Sequence, residues 1–70
     1  MEHIHLIGER FRRLNYRPAA NPGEKWEAQA RGRKIVTESG RTATENDTHA
    51  FGNTCEEALE NLVIKLSQEN

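Results

Sequence analysis

One cysteine, four aromatic side chains, two prolines and no long apolar run set the first limits on this 70-residue chain. A lone Cys excludes an internal disulfide framework of the kind that stabilises many small secreted domains, and it fits a reducing compartment. No apolar run approaches the roughly 20 residues that cross a bilayer, and mean hydropathy is low at -0.91. Residues 1–7 place an acid and two His around a short apolar cluster without a small-residue cleavage site, so no secretory signal is read there and a cytoplasmic location is expected. So few aromatics leave little for stacking against nucleobases.

What is present is modest in bulk. Hydrophobic residues make up 34% of the chain, which is 24 positions; seven of these are Ala, so 17 larger side chains remain for a core. That is enough for a single domain over residues 1–70, and a core of this size supplies only roughly 3 to 5 kcal/mol. A homodimer is therefore an option from the outset. Charge is abundant and unevenly placed: residues 1–34 carry eight Lys/Arg against four Glu, residues 35–70 two against seven Asp/Glu. The net of -1 thus hides a basic half and an acidic half. Such a dipolar chain suits an anionic partner on one side or complementarity between copies.

The C-terminal segment reads most clearly. Thr54, Cys55, Glu56 and Glu57 fit a capping box, in which a hydroxyl takes an orphan amide of a helix start. Apolar residues then follow at 58, 59, 62, 63 and 66, one buried stripe at 3.6 residues per turn. Glu56, Glu57, Glu60, Asn61, Lys65 and Gln68 fall on the wet side, and Ile64 stands off the stripe. Near the N-terminus, Ile4, Ile7, Phe11 and Leu14 repeat at helical spacing, which predicts a first helix ended by Pro18. On that helix Arg10, Arg13 and Arg17 form a basic stripe, with Arg12 at its border. Gly8 is a weak spot inside it.

Between the two segments the period becomes two. Trp26, Ala28 and Ala30 alternate with polar residues as a half-buried strand does. Turns at Arg31-Gly32-Arg33 and Ser39-Gly40 lead to further strands over residues 34–38 and 41–45, and residues 48–53 are either the end of the third strand or a fourth. The expected architecture is α+β in the order αβββα: a three-stranded antiparallel meander covered on one face by two helices.

That layout, with Ala50, Gly52 and Thr54 before the last helix, resembles the double-stranded RNA-binding domain, whose fold implies a basic N-terminus on that helix for phosphates. Here Glu56, Glu57 and Glu60 stand in its place and repel phosphate. The segment from Gly52 to Leu62 is similar to the end of HicB-type antitoxins, where a strand closing in Gly-x-Thr leads into Glu-Glu-Ala-Leu-Glu-Asn, here Glu56 to Asn61. A helix, a meander opened by Trp26-Glu27-Ala28 and a final helix also resemble the small phage "ABA sandwich" proteins, whose role is unassigned.

Chemistry-bearing residues are few. Cys55, His49 and Asp47 supply the residue types of a thiol hydrolase, yet no oxyanion element or cleft is read beside them, so no catalytic residues and no enzyme are expected. His3 and His5 lie two apart and converge on a metal only from an extended segment, so no metal or other cofactor is expected. The basic stripe of Arg10, Arg13 and Arg17, with Arg31, Arg33 and Lys34 as possible neighbours, has the widest functional reach, since guanidinium groups hold carboxylates and phosphates bidentately. Leu6, Tyr16 and Ile64 have no clear place in the core and are the expected interface residues. The function these features imply is that of a non-enzymatic phage or prophage accessory protein acting by protein-protein interaction, inhibiting or regulating a larger partner through the basic stripe or the acidic last helix. A HicB-like antitoxin or RNA-binding regulator is the alternative.

Overall fold

The computed structural model describes residues 2–68, with the side chains at positions 2 and 4 outside that description. The chain runs through a short helix α1 (Glu2–Ile7), a 3-10 turn (Gly8–Arg10), and strands β1 (Phe11–Tyr16), β2 (Trp26–Ala30), β3 (Lys34–Val36), β4 (Thr42–Thr44) and β5 (Thr48–Gly52), and ends in helix α2 (Cys55–Ser67). It is a small α+β fold, as the sequence implied. The strands form two antiparallel sheets, one ordered β1-β2-β5 and one made of β3 and β4, rather than a single meander. Among the described residues no helix is long and apolar enough to cross a membrane.

The N-terminal segment departs from expectation. The helix stops at Ile7 because Gly8 takes φ of +68°, a left-handed conformation that suits a residue without Cβ. From Phe11 the chain is strand, so the helical stripe of Arg10, Arg13 and Arg17 does not exist. Phe11 and Leu14 nevertheless both pack against the core. Three residues apart in a regular strand they would face opposite ways. A bulge between Phe11 and Arg13 inserts one extra residue and restores them to one side. Ile4, the first member of the expected stripe, lies outside the described side chains.

The alternation read at Trp26, Ala28 and Ala30 holds. Across the three-stranded sheet, Leu14, Ala28 and Ala50 form one row and Tyr16, Trp26 and Gly52 the next. These rows face α2, and Ala28, Ala30 and Ala50 are fully buried beneath it. With only methyl groups below, α2 comes close: a Cβ added at Gly52 would meet the Ala58 nitrogen and the Glu57 Cβ, each at 2.6 Å. Leu59 and Leu62, both at 0% exposure, supply the bulk, joined by Ala58 and Ile7 and flanked by Val63, Leu66 and Trp26. The start of α2 is fixed as its sequence implied, with Thr54 Oγ1 accepting from the Glu57 amide at 3.1 Å.

Residues 48–52 are a separate strand, and they reveal a continuity that the elements conceal. Continuing the Ala30↔Thr48 pair by four residues along each strand arrives at Lys34↔Thr44, the first pair of the second sheet. The segment from Trp26 to Gly52 is thus one long hairpin in a single register, broken at 31–33 and 45–47. Its outer half, β3 and β4, packs chiefly on itself and leaves the body as an arm. Gly32 sits at the break, where an added Cβ would lie 1.9 Å from the Glu45 carbonyl oxygen.

The two edges of the larger sheet differ. On β5, the outward carbonyls are taken by α2: Lys65 Nζ donates to His49 O at 2.6 Å and Asn61 Nδ2 to Phe51 O at 2.7 Å. Among the described residues no strand pairs with the outer edge of β1.

Gly52→Ala is expected to push α2 off the sheet and to cost about 1–3 kcal/mol, the usual range for overpacking, and Thr54→Ala about 0.5–2 kcal/mol from the lost cap. Urea unfolding followed by far-ultraviolet circular dichroism measures both. A Gly52→Ala protein as stable as the wild type would show that the helix does not lie this close.

Candidate functional site

Because α2 and α1 lie on one side, the opposite face of the β1-β2-β5 sheet is uncovered, and the intervening rows project there. Arg13, Gln29 and His49 form one row; Asn15, Glu27 and Phe51 form the next. Arg17, two residues beyond Asn15, continues the line, and its guanidinium carbon lies 5.1 Å from the centre of the Phe51 ring. Stacking in this way leaves the in-plane N–H donors of the guanidinium turned outward. Arg13 and Arg17, four apart, remain on one surface in the strand, whereas Arg10 leaves them.

Between these cations lies a hydrogen-bonded polar network. The Glu27 carboxylate is half buried and accepts from His49 Nδ1 at 2.7 Å and from Asn15 Nδ2 at 3.5 Å. Asp47, where the hairpin breaks, takes three donors: Gln29 Nε2 at 2.7 Å, Arg12 Nη1 at 3.2 Å and the Gly32 amide at 3.3 Å. The side chain of Asp47 thereby occupies the Gly32 amide at the gap in the ladder. Gln29, with 7% exposure, is the buried polar residue of the sheet, and among the described residues no donor reaches its Oε1.

The charge on Glu27 is maintained against its surroundings. Burial pushes its pKa up, but the hydrogen bonds from His49 and Asn15, with the charges of His49 and Arg13, outweigh burial and leave it below the ordinary carboxylate value.

At the end of the sheet near the root of the arm, Arg10, Arg31, Gly32, Arg33 and Lys34, with Glu9, line an open groove of about 610 Å³. The 3-10 turn is fastened to the loop after β2 here: the Arg31 amide donates to Arg10 O at 2.7 Å and Arg10 Nε to Arg31 O at 2.9 Å. Arg33 pairs with Glu45 at 2.9 Å. The expected basic cluster is thus divided. Arg10 joins Arg31, Arg33 and Lys34 in the groove, Arg13 and Arg17 occupy the sheet face, and Arg12 pairs with Asp47.

The other singled-out residues are engaged separately. His49 is hydrogen bonded to Glu27, Asp47 to Gln29, Arg12 and Gly32, and Cys55 opens α2 half buried as a free thiol. His3 and His5 stand on the helix α1, not on an extended segment; two residues apart there, they diverge by about 200°. His3 Nε2 instead meets Glu56 at 3.3 Å, linking the two helices. Leu6, Tyr16 and Ile64 are all exposed, at 65%, 58% and 47%. The hairpin arm adds exposed Ile35 and Val36, the latter at 74%, so neither of them lies on a buried meander face, where one of the two would be expected. Glu27 was not singled out from the sequence. Its signal in the sequence is its place on the polar side of the Trp26–Ala30 alternation, which gives a face but not a pairing partner.

A carboxyl held below its ordinary value in the fold contributes stability that is present above that ordinary value and disappears as pH falls through the lowered one. Wild-type stability should therefore decline on acidification from about pH 6 to about pH 3 more steeply than that of Glu27→Gln, measured by urea unfolding at each pH. Parallel acid limbs for the two proteins would remove Glu27 from the network.

Comparison with known proteins finds no family model that matches the chain, and no curated protein or solved structure with significant similarity to it, so the sheet face and groove stand on their own chemistry.

Proposed function

We propose that the chain is a non-enzymatic binding module that engages a protein partner through the uncovered sheet face, with the groove at the arm root as its extension. The observation that carries this reading is the pattern on that face. Arg13 projects from β1 and the Phe51-stacked Arg17 from the residue just after it, while Glu27 and Asp47 are set among them in hydrogen bonds. Alternating sign over a hydrogen-bonded, half-buried network suits a protein surface with acidic side chains placed to meet the two arginines. A nucleic-acid backbone presents one sign throughout, and the carboxylates would oppose it. The acidic exposed side of α2, with Glu56, Glu57 and Glu60, supports the same preference. Partner binding here works by occupancy: the face covers a surface of a larger protein and so inhibits or regulates it.

His49 and Asp47 each serve a different local contact, which supports a role in holding the face together rather than in a reaction. The polar network fixes strand side chains whose rotamers would otherwise be free, and this preorganisation lowers the entropy cost of binding.

The test compares affinity capture from the native host by the wild type and by Arg13→Glu/Arg17→Glu, alongside gel shifts with duplex RNA and duplex DNA. The double variant is expected to retain its fold and to lose the captured partner by on the order of tenfold or more. No duplex shift is expected at low salt. Capture of the same proteins by both would overturn the role of this face, and a shift that weakens steeply with salt would replace the protein partner with nucleic acid.

A further inference from the structure

The sheet has one edge that the fold covers and one that it does not. Antiparallel ladders alternate, so residues whose backbone groups point to one neighbour are every second residue. The Arg17 amide donates to Lys25 O, which fixes the phase: Arg13, Asn15 and Arg17 direct their backbone groups to β2, and Leu14 and Tyr16 direct theirs outward. On β5 the equivalent outward carbonyls, of His49 and Phe51, are taken by Lys65 and Asn61. Among the described residues nothing takes the outward groups of Leu14 and Tyr16 in this way. Beside them on the helix side of the sheet, Tyr16 lies 58% exposed against Trp26, the two ring centres 5.1 Å apart.

We propose that β1 pairs edge to edge with β1 of a second copy of this chain about a two-fold axis at Leu14, joining two three-stranded sheets into one of six strands. The choice of occupant and register comes from charge. Only registers that set one outward-directed residue against another satisfy these groups, which leaves axes centred on a residue. An axis at Arg13 sets Arg13 against its own copy, and an axis at Asn15 sets Arg13 against Arg17; like charges directly opposed are unfavourable. An axis at Tyr16 runs Leu14 onto Pro18, which has no N–H to donate. An axis at Leu14 pairs Leu14 with itself on the helix side and Arg13 with Asn15, twice, on the open side. The strand is thus self-complementary in one register, as an isologous interface requires. The bulge at Arg12 limits the pairing to the residues beyond it.

The dimer has a further effect on the uncovered face. It sets Arg13 and Arg17 of both copies on one continuous sheet surface across the axis. The pairing itself does not depend on what that surface binds.

Disulfide trapping resolves the register. In a Cys55→Ser background, Arg13→Cys and Asn15→Cys are prepared separately and then mixed under mild oxidation. With the axis at Leu14, positions 13 and 15 of opposite copies are about 4.5 Å apart between Cα atoms, within disulfide reach. Two copies of position 13 are separated by about 8 Å, beyond the roughly 7 Å limit. The mixture is expected to cross-link at least about tenfold faster than either variant alone. Sedimentation of the unmodified wild type is expected to move with concentration from the 8.0 kDa of one chain toward twice that mass. Cross-linking of Arg13→Cys alone as fast as the mixture would overturn the register, and a wild type that stays at single-chain mass up to about 1 mM would overturn the dimer.

Discussion

The approach of α2 to the alanine rows of the sheet governs the rest of the molecule. A helix can lie this close only where the sheet offers methyl groups and a glycine, and Ala28, Ala30, Ala50 and Gly52 offer nothing larger. The sheet therefore contributes surface but little volume to the core, and Leu59 and Leu62 become its fully buried large side chains. The same closeness brings the far side of α2 over the edge of β5, where Asn61 and Lys65 reach its carbonyls. One contact thus sets the core, the orientation of the helix and the covering of one edge.

With both helices on one side, the other face of the sheet has to be stable against water without apolar cover. It does so with charge and amide groups that satisfy one another across three strands, Asn15 to Glu27 to His49 and Arg12 to Asp47 to Gln29. Asp47 has a second part in this, because its carboxylate bonds the Gly32 amide where the long hairpin leaves the body. The ladder resumes beyond the break in the same register, so the arm is an extension of the sheet strands that has outrun the helices above it. Its exposed Ile35 and Val36 follow from that lack of cover.

Legibility in the sequence followed the strength of local rules. The last helix was readable because a cap, an apolar stripe and a wet face all coincide between Thr54 and Gln68, and its wet residues are exposed as expected. The Trp26 strand was readable because its alternation is unbroken. The first segment misled because Phe11 and Leu14, three apart, fit one helical face, and nothing local announces the bulge that lets a strand keep both inward. Gly8 was the available warning, read as a weak point in a helix when it is the end of one. The arginines show the same ambiguity in a milder form. Arg13 and Arg17 share a face at spacing four in either conformation, so that part of the cluster survived the change of element, whereas Arg10 went to the groove with Arg31, Arg33 and Lys34. The long-range pairings of Glu27 with His49 and of Asp47 with Arg12 depend on register, which composition and periodicity do not encode.

The capped edge of β5 also bears on the behaviour of the protein when crowded. Open-ended stacking of sheets into fibrils needs every molecule to offer two free edges, one for the copy before it and one for the copy after. With Lys65 and Asn61 seated on β5, the three-stranded sheet offers only one, so a contact through β1 is not relayed across that sheet to a further copy. The helix that completes the core thereby also closes one edge of the larger sheet to further copies.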